Sequence, residues 1–226
     1  MPQVIRRVEK AAPDLVKRFS EIGESATIYE IMKKNAMSCE MRPVWPGIRM
    51  CGTALTVQTR PGDNVMLHKA IDLVQPGDVV VVDCGGFTEA GGMFGGLMAA
   101  SLKVKGCAGV VTNGSVRDTM TFQELGLPVF SRGVNVKFAT KANGGYINHP
   151  IAVCGVEVRP GDIVFGDNDA VVVVPREEAE EVYAGAAARE AREDVLLKRI
   201  LAGEGTTYDL LFQENYEALG LSEGER

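Results

Sequence analysis

The residues best suited to chemistry lie close together in the middle of the chain. From Gly91 to Asp118 it reads GGMFGGLMAASLKVKGCAGVVTNGSVRD, seven glycines in 28 residues with an Arg–Asp pair at the end. Glycine-rich loops often cradle phosphates, but no Lys-Ser or Lys-Thr follows this one, so a P-loop is not expected. A helix that starts at Gly95–Met98 offers unpaired N–H groups and the positive end of its dipole, and the glycines let a small anion approach. Arg117 adds a planar fork that matches a carboxylate. Asp118, a single carboxylate, suits a divalent cation that keeps most of its waters, as Mg²⁺ does. A carboxylate, an adjacent keto oxygen and a metal together describe a 2-oxo acid. The competing reading is a tight strand–helix turn next to a solvated Arg–Asp pair, which contributes little.

Positioning these residues requires a wound α/β region. DVVVVDCGG and CAGVVTNG are apolar runs of strand length that end in polar or glycine residues, as buried parallel strands do. A helix from about Gly96 to Lys105 lies between them, so the loops after the two strands emerge at one sheet edge and face each other. Upstream, GTALTVQTR reads as a strand. PGDNVMLHKAIDLVQPGD reads as a helix with Val65, Ala70, Ile71 and Val74 inward. Downstream, TMTFQELG is a short helix and PVFSRG a third wound strand. LVKRFSEIGESATIYEIMKKN predicts an N-terminal helical region, with Ser25 or Thr27 as a cap before Ile28. IAVCGVEVRPGDIVFGDNDAVVVVP predicts three short strands joined by Pro-Gly-Asp and Gly-Asp-Asn turns. Pro175 then opens a long helix to Gly203, followed by a polar tail. No repeat or linker stands out, so one domain over 1–226 is expected, with a core at about 25–203 and a C-terminal helix and tail at 175–226.

Composition narrows the partners. The formal charge of −6 argues against a nucleic-acid surface, though it would suit a basic protein partner. No run approaches the roughly 18 apolar residues of a membrane span. The charged N-terminus is unlike a secretory signal. Five scattered cysteines without a CxxC pair argue against a disulfide framework or a Cys metal site and favour a reducing, cytoplasmic setting. With only His68 and His149 available, a His-rich metal site is out of reach.

The stretch GGLMAASLKVKGCAGVVTNGSVRDT…ELGLPVFSRG closely resembles the class II pyruvate aldolases that cleave 4-hydroxy-4-methyl-2-oxoglutarate, a family that includes the ribonuclease E regulator RraA. The resemblance extends through SATIYEIMKKNAM…RPVWPGIRMCGTALTV, PGDNVMLHKAIDLVQPGDVVVVDCGG and PGDIVFGDNDAVVVVP, from Ser25 to Leu211. It implies an αββα sandwich-like single domain around a compact mixed β core (the RraA-like swivelling β/β/α fold), assembled as trimers or hexamers with sites at subunit boundaries. It also implies Mg²⁺ or Mn²⁺, with pyruvate held by the segment Gly95, Gly96, Leu97 and Met98. Arg117 would bind the carboxylate and keto region, and Asp118 the metal. The reaction implied is C–C cleavage to a pyruvate enolate, with oxaloacetate decarboxylation as a side activity. The alternative is an RraA-like regulator that binds and inhibits a ribonuclease.

One departure matters. The aldolases carry an acid where Gly96 stands, taken to position a proton-shuttling water; Asp83 or Glu89 are the candidates to replace it. In the C-terminal helix, Glu193 falls within the apolar stripe Val182, Ala186, Leu197 and Ile200. It is expected either to pair with an arginine such as Arg189 or Arg192 of a neighbouring helix or to reach the next subunit's site, with Glu190 as the other candidate for that role. His68 reads as structural or exposed, Trp45 as a packing anchor, Cys84 as oxidisable without being a nucleophile, and GDNDA as a hairpin turn.

Overall fold

The computed structural model describes residues 3–221 and 224. In chain order the elements begin with α1 (Pro13–Ser20), α2 (Ser25–Met32), β1 (Arg42–Pro43), β2 (Met50–Gln58), α3 (Val65–Leu73) and β3 (Asp78–Asp83). They continue with β4 (Gly92–Phe94), α4 (Gly96–Val104), β5 (Gly109–Val116), α5 (Thr119–Leu125), β6 (Val129–Val134) and β7 (Tyr146–Ile147). The last are β8 (Ile151–Val153), β9 (Val156–Val158), β10 (Ile163–Gly166), β11 (Val171–Val174), α6 (Ala179–Leu201) and α7 (Gln213–Ala218). A nine-stranded mixed sheet follows the path β1-β6-β5-β3-β2-β10-β11, with β4 on β5 and β7 on β2. The central pairs β2–β3, β3–β5 and β5–β6 are parallel, and α3, α4 and α5 link them, as the alternation of apolar runs and helices requires.

The valine-rich strands are apolar throughout because both faces of the sheet are covered. Val80 and Val82 join Leu67, Ala99, Leu102 and Phe122 from the helices. Val79 and Val81 point the other way, into a cluster with Met37, Ile151, Val153, Val156 and Val158. Each buried valine contributes roughly 1.5–3 kcal/mol. Among the described residues no helix is long and apolar enough to cross a membrane. The chain divides into two compact units, 1–186 and 187–226, and the sheet and both clusters belong to the first.

Several local readings need correction. The N-terminal helical region is two helices, and Ser25 does not cap the second with its own side chain. Its N–H and hydroxyl instead donate to the two oxygens of Asp167, each at 2.7 Å, from 142 residues away. The inward face of α3 is as expected, with Ala70 and Val74 buried and Val65 and Ile71 half-buried against the same cluster, but Met66 and Leu67 are buried there too. The downstream β segment holds four strands rather than three. Cys154 and Gly155 both take positive φ (47° and 85°), so they form the two-residue turn of a separate β8–β9 hairpin. In the second unit the polar tail is partly helical. Thr206 donates its N–H and hydroxyl to Asp209, each at 2.8 Å, which starts the helical turns at Tyr208–Phe212 and α7.

Asp63, just before α3, fastens the 140–143 segment to the loop between β2 and α3. Its carboxylate accepts from Ala142 N–H (2.7 Å), the Thr140 hydroxyl (2.8 Å), the Asn143 N–H and side-chain amide (3.0 and 3.1 Å) and Val65 N–H (3.1 Å). Burial alone would raise its pKa, but these donors outweigh burial and hold it well below the usual carboxylate range. A depressed folded pKa gives stability that is full above the unfolded pKa of about 3.9 and is lost as pH falls below it. Asp63→Asn, which sets an NH₂ against these donors, should cost roughly 1–3 kcal/mol at pH 7. The gap from wild type should narrow at pH 3, and urea midpoints at the two pH values measure it. An unchanged midpoint at pH 7 would show that the network does not hold this segment.

Candidate active site at the start of α4

The loop after β5 folds back onto the start of α4. Asp118 Oδ2 accepts the Gly96 N–H at 2.9 Å, so the carboxylate on this helix terminus is the chain's own. The surrounding glycines serve this approach. A Cβ on Gly95 would lie 2.8 Å from Asp118 Oδ2 and 3.4 Å from Arg117 Nε, and one on Gly92 would lie 3.0 Å from Arg117 Cβ. Any side chain at Gly95 would push the Arg–Asp segment away from the helix, and one at Gly92 would first meet the Asn135 carbonyl. β4, the short strand inside the glycine loop, fixes the level of this contact: Phe94 O accepts the Arg117 N–H at 2.9 Å. Asp118 itself takes a left-handed backbone, φ 64°, which a short polar residue tolerates better than most.

The two charged neighbours do not pair with each other. Arg117 is half-buried, and its guanidinium makes no ion pair or hydrogen bond among the described residues, so its fork is open to a ligand. Asp118 is exposed, and Oδ1 has no hydrogen-bond partner among the described residues. Leu97 is exposed, whereas the Met98 side chain is buried in the core; only their backbone N–H groups face the helix end. The structure therefore gathers Gly95, Gly96, Arg117 and Asp118 at one point, with Leu97 and Met98 completing the first helical turn.

A divalent cation fits this donor set in one way only. No group of three or more His, Cys, Asp or Glu side chains is placed to hold a metal among the described residues. Asp118 Oδ1 offers one carboxylate oxygen, which suits a hard cation that keeps most of its waters and takes its remaining oxygens from a substrate. A closed zinc-type cage does not fit.

The other candidate residues lie in varied surroundings. Asp83 ends β3, where Oδ1 accepts from the Asn113 amide (2.8 Å) and Gly85 N–H (2.9 Å). Asn113 in turn takes the Cys84 N–H at 2.8 Å, so Asp83 braces the strand ends. Cys84 is fully buried, and burial pushes its thiol pKa up, which makes it a core residue rather than an oxidisable one. Glu89 is solvated and pairs with Lys137 at 2.9 Å. His68 is exposed, and Trp45 packs against both clusters. The GDNDA turn is closed by Asp167, whose Oδ1 accepts from Asp169 and Ala170 N–H. Glu193 belongs to the second unit and pairs with Arg189 of its own helix at 2.7 Å. One helical turn separates the two residues, the spacing at which side chains meet. Glu190 lies on the same helix.

The RraA-like family profile, described as Aldolase/RraA, matches residues 25–173. A Halalkalibacterium halodurans protein provisionally named 4-hydroxy-4-methyl-2-oxoglutarate aldolase is 32% identical over 200 residues, covering 86% of this chain and 94% of that one. The Thermus thermophilus 4-hydroxy-4-methyl-2-oxoglutarate aldolase is 34% identical over 113 residues, 50% of this chain and 68% of the other. Among solved structures, Streptomyces coelicolor RraAS2 superposes with a TM-score of 0.75 at 29% identity, over 84% of this chain and 98% of that one. That protein is described as an unusual member of the RNase ES inhibitor RraA family. With a match across most of the sheet and across the whole Gly95–Asp118 site, the chain belongs to the RraA-like (Aldolase/RraA) family.

Proposed function

We propose that this protein is a divalent-metal-dependent lyase that cleaves a 4-hydroxy-2-oxo acid, such as 4-hydroxy-4-methyl-2-oxoglutarate, to pyruvate. The observation that carries this reading is the seating of Asp118 on the Gly96 N–H, next to an Arg117 guanidinium with no partner among the described residues. In the reaction the C4 hydroxyl loses its proton, the C3–C4 bond breaks, and its electron pair moves through C2 onto the keto oxygen as an enolate. Protonation at C3 then gives pyruvate. Arg117 holds the 2-oxo acid by its carboxylate and meets the charge that develops on the enolate. The first-turn N–H groups of α4 orient the same carboxylate end. Mg²⁺ or Mn²⁺ held by Asp118 would supply Lewis-acid polarisation of the keto oxygen. Loss of CO₂ from oxaloacetate leaves the same enolate, so decarboxylation is the expected side activity. A homotrimer or homohexamer would bring Glu193 or Glu190 to a neighbour's site.

The test is pyruvate release from a panel of 4-hydroxy-2-oxo acids and oxaloacetate, with Mg²⁺ or Mn²⁺ and with EDTA. Turnover that EDTA removes supports the lyase. No turnover, together with binding to an RNase E-type ribonuclease, supports a regulatory protein instead, a reading favoured by the missing acid at Gly96.

That position can be tested directly. The three atoms nearest a Cβ on Gly96 all belong to the Thr121 side chain, at 3.1–3.4 Å, and the backbone there is helical, so an acid fits if Thr121 shifts by a few tenths of an ångström. Gly96→Asp should raise turnover by about 10²-fold, the low end for general acid–base catalysis, while Gly96→Asn should not. A fall in the Asp variant would show that another residue already moves the proton.

A further inference from the structure

Thr121 stands where the first turns of two helices meet at the candidate site. Its N–H donates to Asp118 O at 3.0 Å, which ties the start of α5 to the residue whose side chain holds the start of α4. Its side chain lies over Gly96. A Cβ built there would be 3.1 Å from Thr121 Cγ2 and 3.4 Å from Thr121 Oγ1. Glycine at 96 sets no side chain over this hydroxyl.

The hydroxyl is also unengaged. A threonine in a helix commonly returns its hydroxyl to the carbonyl three or four residues back. Thr121 Oγ1 makes no such bond, nor any other hydrogen bond among the described residues, although the residue is half-buried. The oxygen is not sealed from solvent, so a ligand can reach it. By contrast, the hydroxyls of β5 and α4 are all in use. Ser115 donates to Thr88 O (2.8 Å), Ser101 donates to Leu97 O (2.9 Å), and Thr112 Oγ1 accepts the Gly114 N–H (3.1 Å).

We infer that the Thr121 hydroxyl donates to the C4 oxygen of the substrate and so selects 4-hydroxy acids for cleavage, an inference that rests on the lyase reading above. With the 2-oxo acid's carboxylate on Arg117 and its keto oxygen toward Asp118, C4 lies two carbons further on. Asp118 joins the two helix starts, so C4 comes to the first turn of α5, where Thr121 lies over Gly96. In the cleavage the neutral C4 hydroxyl gives up its proton, and its oxygen carries negative charge until the C3–C4 bond breaks. An O–H donor at that oxygen acts mainly in the transition state. In oxaloacetate the charge at C4 changes in the opposite sense. Its carboxylate is charged at the start and neutral as CO₂ leaves, so the same donor holds the ground state and gives decarboxylation no help.

The test is Thr121→Val, which keeps the branched shape and removes the hydroxyl, assayed in the full chain with Mg²⁺ on both reactions. Cleavage of the best 4-hydroxy-2-oxo acid in the panel should fall roughly 10–100-fold, as loss of a hydrogen bond to a developing charge implies, and the fall should appear in kcat rather than KM. Oxaloacetate decarboxylation should hold or rise. Thr121→Ser, which restores the donor, should recover most of the cleavage. An equal fall in both reactions would show that Thr121 only shapes the site, and unchanged cleavage in the Val variant would show that its hydroxyl meets no reacting atom. Each of these results overturns the inference. Wild-type protein that decarboxylates oxaloacetate but cleaves no 4-hydroxy acid would overturn it as well, while leaving the Arg117–Asp118 chemistry in place. Wild-type protein that turns over neither substrate would sink the lyase reading itself, and this role with it.

Discussion

Asp118→Asn is expected to abolish EDTA-sensitive pyruvate release while leaving the urea midpoint at the wild-type value. The residue is exposed, and its carboxylate takes the Gly96 N–H and makes no contact with the core clusters. Losing the cation's anchor removes several kcal/mol of charge stabilisation, roughly 10²–10³-fold or more in rate. Asn is a sharper substitution here than Ala. At φ 64° an Ala adds a backbone cost of roughly 1–2 kcal/mol, whereas Asn adopts this conformation readily and can still accept the Gly96 N–H. The Asn variant therefore separates charge from shape. Turnover within a few fold of wild type would remove Asp118 from the proposed chemistry.

Arg117→Ala should lower kcat/KM by roughly 10²–10³-fold, the range for removing a donor that meets developing negative charge. Arg117→Lys should recover little, since a point ammonium cannot reproduce the planar two-point contact. The Arg117 side chain lies against Gly92 and Gly95, so its truncation leaves no buried hole and the fold should persist. Steady-state kinetics on the best substrate of the panel decides it. A loss confined to a few fold would mean that the guanidinium merely faces water.

The parallel core was legible in the sequence because both faces of its strands are covered. Val79 to Val82 alternate between two apolar clusters, and no polar residue interrupts the run. Pro-Gly and Gly-Asp pairs marked most of the turns for a local steric reason. The Cys154–Gly155 turn escaped notice because cysteine seldom takes positive φ and carries no turn signal. β4 was hidden inside a loop that composition alone reads as irregular. At the site, Arg117 and Asp118 could be paired with the start of α4 from the order of strands and helices. The reason for Gly92 and Gly95 could not, because it depends on atoms more than twenty positions away. The bond from Ser25 to Asp167 is non-local in the same way. Glu193 looked out of place in an apolar stripe, yet Leu197 in that stripe is itself exposed.

The seating of Asp118 on Gly96 would also give the proposed site a means of discrimination. A bare helix terminus next to an arginine would collect chloride, sulfate or any passing carboxylate. Here the chain's own acid already holds the place, and its charge turns such bystanders away. Under the proposed function, a 2-oxo acid that chelates a divalent cation brings the counter-charge that relieves this repulsion. A simple anion brings none. The contact would act as a filter for chelating ligands in a mixture where monodentate anions are far more abundant.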